Sequence, residues 1–215
     1  MTKRHKARDV AQDRGCGEFW IEHAKITADD LEWLASAERL TLWNVQVPDG
    51  FLSKLDKLWW LDLRGGSAAN LTAAEGCKKL RYLCVNQVRG MHDLSLVTSF
   101  KALQHLSLYG LAKVQAVPSL RGLKELLRLE VGQMRTLEAL GGLLDAPKLE
   151  ELLIHNLVGI TDKDVKRINS HRSLRVFDWI ALDVPVELSA PVVKAVKLER
   201  AKSMHAIEWF ESRGL

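Results

Sequence analysis

Leu58-Trp59-Trp60-Leu61-Asp62-Leu63, Leu80-Arg81-Tyr82-Leu83-Cys84-Val85 and Leu103-Gln104-His105-Leu106-Ser107-Leu108 are three copies of one phrase. An apolar residue precedes two variable ones, a second apolar residue, one variable residue and a third apolar residue. Three more copies follow: Leu126-Leu127-Arg128-Leu129-Glu130-Val131, Leu149-Glu150-Glu151-Leu152-Leu153-Ile154 and Leu174-Arg175-Val176-Phe177-Asp178-Trp179. The middle apolar residues fall at 61, 83, 106, 129, 152 and 177, so the steps are 22, 23, 23, 23 and 25 residues. A fixed period of this length predicts a solenoid.

Within each phrase, alternation of apolar and variable residues predicts a short strand with one buried face. The intervening segments, such as 71–80 and 165–168, have spacing that suits a helix or turns of 3-10 structure. Strands that return parallel through such crossovers build a right-handed coil with a continuous parallel sheet. One repeat cannot bury its apolar face alone; stacking does so, each buried Leu contributing about 1.5–3 kcal/mol.

The phrase and its period resemble the leucine-rich-repeat family over roughly residues 37–198. A poorer copy runs Ala37-Glu38-Arg39-Leu40-Thr41-Leu42, and fainter ones are Phe19-Trp20-Ile21 and Val193-Lys194-Ala195-Val196-Lys197-Leu198. The resemblance implies an α/β fold: a right-handed horseshoe solenoid of seven to nine coils. A concave parallel β-sheet would face short helices or 3-10 turns on the convex side, with helical caps at both ends. The family places Asn or Cys three residues after the third apolar position. Here Val45, Gly66, Val88, Leu111, Met134, Leu157 and Leu182 stand there. The side-chain ladder is missing, and apolar packing is expected to close the turn.

Four segments result: a basic, flexible tail over 1–15; an N-terminal cap over 16–36; repeats over 37–198; and a closing C-terminal helix over 199–215. Thr27-Ala28-Asp29-Asp30 has the form of a capping box, predicting a helix over 27–37. Met204, Ile207, Trp209 and Phe210 have the near-helical spacing of a core-facing stripe.

The variable residues form three outward rows on the concave face. The first holds Arg39, Trp60, Tyr82, His105, Arg128, Glu151 and Val176. The second holds Thr41, Asp62, Cys84, Ser107, Glu130, Leu153 and Asp178. The third holds Trp43, Arg64, Asn86, Tyr109, Gly132, His155 and Ile180. Exposed Trp, Tyr and Arg are the residue types of interface hot spots. Trp43, Trp60, Asp62, Arg64, Tyr82, Asn86, His105, Tyr109, Arg128, Glu130 and His155 are therefore the candidate protein-binding residues.

The chain has 215 residues, 31 Lys and Arg against 27 Asp and Glu, and a net charge of +4. No apolar run reaches the roughly 18 residues of a membrane span, and no apolar stretch follows the basic start as a secretory signal requires. Cys16, Cys77 and Cys84 are odd in number and lack CxxC spacing, so a reducing, cytoplasmic setting is expected without zinc or disulfides. The seven histidines show no HxxxH or HExxH spacing. His105 and His155 share a face two repeats apart, about 10 Å at the strand spacing, with no carboxylate read between them. Cys84 beside His105 is a weak nucleophile signal. No catalytic residue, cofactor or metal is assigned.

The expectation is a non-enzymatic module, monomeric when free, that holds a protein on its concave face. By resemblance to stand-alone family members, inhibition or immunity-type neutralisation of another protein is implied. The alternative is nucleic-acid binding through the basic tail and the rim of Lys57, Lys79, Lys101, Lys124, Lys148 and Arg172.

Overall fold

The computed structural model describes residues 4–202 and 204–215. Met1, Thr2 and Lys3 of the basic tail, and Ser203 of the closing segment, lie outside them.

Eight strands pair in parallel and in register: β3 (Glu18–Glu22), β5 (Arg39–Trp43), β6 (Trp60–Arg64), β7 (Tyr82–Asn86), β8 (His105–Tyr109), β9 (Arg128–Met134), β10 (Glu151–Val158) and β11 (Val176–Ile180). Phe19 opposes Leu40, and the column continues through Leu61, Leu83, Leu106, Leu129, Leu152 and Phe177. From Leu40 to Leu152 every member of that column is fully buried. Identical apolar side chains one strand apart pack without a gap, so register and burial enforce each other.

Between the strands, most connections are single 3-10 segments: Leu52–Lys54, Thr72–Ala74, Ser95–Ser99, Leu120–Gly122 and Gly141–Asp145. An α-helix, α3 (Asp162–Ser170), joins β10 to β11, and another, α4 (Val186–Ala195), follows β11. The Thr161 hydroxyl caps α3, accepting from the Asp164 main-chain N–H at 3.2 Å.

Apolar packing closes the turns at Val88, Leu111 and Met134, which are buried, whereas Leu182 at the equivalent place is exposed. A backbone ladder, invisible in the apolar pattern, replaces the missing side-chain ladder. His23, Asn44, Gly65, Gln87, Gly110, Gln133 and Asn156 each come one residue after the place in register with Trp43, just past the strand end or, for Gln133 and Asn156, inside β9 and β10, and all have positive φ, from 46° to 68°. The N–H at this place bonds the next strand's end: Asn44 to Arg64 O at 2.7 Å, Gly65 to Asn86 O at 2.8 Å, Gln87 to Tyr109 O at 2.8 Å. A left-handed residue reverses the chain once per coil, and Asn and Gly tolerate that conformation best.

Three end assignments are corrected. Residues of the expected flexible tail hold regular structure. β1 (His5–Lys6) pairs in parallel with β4 (Ala24–Lys25), α1 (Ala7–Val10) buries Ala7, and β2 (Gln12–Asp13) joins β3 antiparallel. Basic side chains point outward while the main chain pairs, so charge did not prevent edge addition. The cap helix is shorter than 27–37: a 3-10 turn over Ala28–Asp30 leads into α2 (Leu31–Leu34). The capping box is present, with the Asp30 carboxylate accepting from Thr27 N at 2.8 Å and from its hydroxyl at 3.1 Å. Residues 193–198 are not a full repeat strand. Residues 193–195 end α4, and one bridge between Val176 and Glu199 continues the sheet.

Gly110 has φ +68°, and a Cβ there would meet Gln87 Cγ at 2.7 Å. Gly110→Ala is expected to lower unfolding stability by about 1–2 kcal/mol, read as a shift in urea midpoint at constant m-value.

Candidate protein-binding face

Alternation along the strands points the three rows of variable residues away from the core, as expected. What covers them was not foreseen. The final helix, α5 (Ala206–Ser212), does not lie over the last coil; it crosses the outer face of β6–β10 along the first row. Trp209 and Phe210 are buried there in an apolar cluster separate from the main core, with Tyr82 and Cys84 and against Trp59, Trp60 and Leu127. The Phe210 ring lies 5.4 Å from Trp59, 6.0 Å from Trp60 and 6.4 Å from Tyr82. Trp209 meets His105 edge to face at 5.3 Å. Such aromatic pairs add about 0.5–1.5 kcal/mol each beyond area burial.

Acids at the far end fix the helix in position. Trp209 Nε1 donates to Glu151 Oε1 at 2.9 Å, and Arg213 reaches Glu150 at 2.7 Å and Glu151 at 2.6 Å. Arg128, 2 % exposed, donates to Glu130 and Glu151, each at 2.8 Å. These pairs satisfy groups that would be costly to bury alone.

The candidate residues therefore separate. Tyr82, His105, Arg128 and Asp62 face outward from the sheet but are buried, and Trp60 and Glu130 are half-buried. Trp43, Arg64, Asn86, Tyr109 and His155, all in the third row, are exposed or partly so. Trp43 is 43 % exposed and edges Trp20 at 6.4 Å. Arg64 donates twice to Asp62 Oδ2, at 2.7 and 2.9 Å, and keeps 40 % of its side chain open. Asn156 Nδ2 donates to the Tyr109 hydroxyl at 3.2 Å. Gly132 leaves room between Tyr109 and His155: a Cβ would come within 2.6 Å of one and 2.7 Å of the other.

A carboxylate does stand between the two histidines, contrary to the sequence reading. Glu130 lies 3.2 Å from His105 Nε2 and 3.6 Å from His155 Nε2. The His105 contact is poorly aligned, and neither of its ring nitrogens has a well-formed hydrogen bond. Among the described residues no three His, Cys, Asp or Glu side chains gather as a metal site requires.

The electrostatics argue against a Cys84 nucleophile. Burial, then the Asp62 charge, pushes the Cys84 thiol well above its usual range, and burial pushes Cys77 up to about 12. A thiol in that state supplies no thiolate at neutral pH. His105 turns to Glu130, held in the neutral form by burial.

The fold is a leucine-rich-repeat horseshoe. Its sheet resembles that of an internalin (inlF) of Listeria monocytogenes, with TM-score 0.60 and 20% identity, covering 86% of this chain and 54% of that one. Internalin C2 of the same organism aligns with TM-score 0.54 and 20% identity, covering 87% of this chain and 80% of that one. The chain thus spans about half the length of the first structure. No family model matches the sequence, and no curated protein does either.

Two outcomes follow from the buried groups. Native protein should expose one thiol, Cys16, to Ellman's reagent, and denatured protein three; rapid native reaction at Cys84 would contradict its burial. The second outcome concerns acid. Burial holds His105 below its unfolded value of 6.5, against the opposing pull of Glu130 and Glu151 and with Arg128 assisting. Burial would raise Glu130, but His105, His155 and Arg128 outweigh it and hold the carboxyl below its unfolded value of 4.5. Both groups bind protons more readily unfolded, so stability falls as pH drops below about 6.5 and again below about 4.5. Urea titrations across this range should show both losses. His171, also lowered, chiefly by burial, adds to the first. His105→Gln should shrink the first loss, and the second as well, because it removes one of the groups that hold Glu130 down.

Proposed function

We propose that the protein is a non-enzymatic module that binds another protein along the third row, through Trp43, Arg64, Asn86, Tyr109 and His155. The observation that carries this reading is the exposure of Trp43, 43 % open at the head of a row that α5 leaves uncovered. A large aromatic beside an arginine is the composition of an interface centre, and mixed charge beside it sets orientation more than affinity. The helix over the first row narrows the contact surface to the strand ends, where side chains keep part of their surface open.

Neutralisation of the bound protein, in the manner of an inhibitor or immunity protein, is the role we favour. A rigid sheet presents these residues without ordering cost. A cytoplasmic location fits the free thiols Cys16, Cys77 and Cys84, and the described residues contain no helix long and apolar enough to cross a membrane. Nucleic acid is the less supported partner. Three of the rim lysines turn to local acceptors: Lys79 to Asp56 O at 2.8 Å, Lys101 to Thr98 O at 2.6 Å and Lys148 to Glu125 at 3.2 Å.

The test is affinity capture from the native host, followed by titration of the captured protein. Trp43→Ala with Tyr109→Ala should weaken binding by roughly thirtyfold or more, the effect of losing a hot-spot aromatic. Undiminished affinity in a variant with an unchanged unfolding transition would place the contact elsewhere.

A further inference from the structure

We propose that the first row, from Trp60 to Glu151, is a helix-docking groove that α5 fills in cis. Its competitor is an amphipathic helix of a partner protein, bearing two adjacent aromatic residues and an arginine one turn further on. This deepens the reading of the concave face as a protein-binding surface and rests on it.

The contacts of α5 are those of a ligand on a receptor. Phe210 enters an aromatic wall of Trp59, Trp60 and Tyr82, and Trp209 pairs its indole N–H with Glu151. Arg213 places its guanidinium 4.8 Å from the Trp209 ring while pairing Glu150 and Glu151. Residues 209, 210 and 213 share one side of a short helix, so the sequence of α5 states what the groove recognises. The acids at one end and the aromatic wall at the other fix the direction in which a helix can lie.

The attachment is built to release. The last main-chain hydrogen bonds before α5 are those of Glu199, to Arg175 and Phe177. From Arg200 to Met204 no main-chain hydrogen bond ties the chain down among the described residues. α5 has seven residues, and isolated helices shorter than about 12–15 residues are marginal in water. Its cluster is separate from the column of leucines that holds the coils together. Opening of α5 therefore leaves the repeat core intact.

The groove is also longer than its occupant. A cavity of about 540 Å³ runs beside and past the N-terminal end of α5, between Met204 and Ile207 of the tail and a mixed polar and aromatic floor that reaches from Trp20 and Trp60 to Asp62 and Glu130. A partner helix extended by a further turn at that end buries surface that α5 leaves open. It needs this advantage, because a short tether keeps α5 at an effective concentration of the order of millimolar.

The probe is a fluorescein-labelled peptide of residues 204–215, titrated against the full chain and against a full-length Trp209→Ala/Phe210→Ala variant. The variant should bind the peptide saturably, at least about tenfold more tightly than wild type, whose groove is occupied in cis. A peptide carrying the same two alanines should bind neither. Hydrogen exchange on the intact wild-type chain gives a second readout. Amides of 206–212 should exchange at least about tenfold faster than those of β7 and β8, by local opening. A folded variant that binds no peptide, or α5 amides that exchange only together with β8, overturns the proposal. A concentration-dependent dimer of wild type that trades α5 between copies assigns the groove to a second copy and overturns the partner assignment. None of these failures touches the third row, because the Trp43 and Tyr109 capture experiment leaves α5 in place.

Discussion

In-register parallel pairing from Phe19 to Phe177 is the constraint on which the rest depends. Side chains alternate along a strand, so fixing the leucine column inside fixes which residues face out. Equal register then stacks those residues in straight rows, one per strand, about 4.8 Å apart. A slip of one residue would turn Trp60, Tyr82 and His105 into the core and drive the leucines out. The cost of that slip exceeds any single contact on the surface. The outer rows therefore vary freely in chemistry while their positions stay fixed, which suits a scaffold whose business is recognition.

The rows then acquire different fates. The first collects Trp60, Tyr82, His105, Arg128 and Glu151, and α5 lies across it. The third ends at the left-handed residues of the backbone ladder and stays open. Between them, the carboxylates of Asp62 and Glu130 hold Arg64 and Arg128, so few charges on this face lack a counterpart. The surface is thus internally neutralised before any partner arrives, and shape and aromatic area are left to decide what binds.

Much of this was legible in the residues. Six phrases at a near-constant step gave the coil, the strand face and the rows, because burial of leucine is a local pattern repeated. The capping box at Thr27 and Asp30 was readable for the same reason. The backbone ladder was not read, although Asn44, Gly65, Gly110 and Asn156 tolerate left-handed backbone and recur at the repeat period. The ladder is built from main-chain N–H and C=O groups, which leave no side-chain hydrogen-bonding signature at that place. The destination of α5 was missed because amphipathic spacing says that a helix buries a face and not where. The available signal was complementary: an uncovered row of aromatics ending in Glu150 and Glu151, and a tail carrying Trp209, Phe210 and Arg213. The folding of residues 5–13 escaped notice because their pairing uses main-chain groups that composition does not reveal.

The placement of α5 is tested most directly by nuclear Overhauser contacts to the Phe210 ring in the intact protein. Cross-peaks to the rings of Trp59, Trp60 and Tyr82 are predicted. Cross-peaks confined to Val184, Val196 and Leu198 of the last coil would instead make α5 an ordinary end cap, and would return the whole first row to solvent.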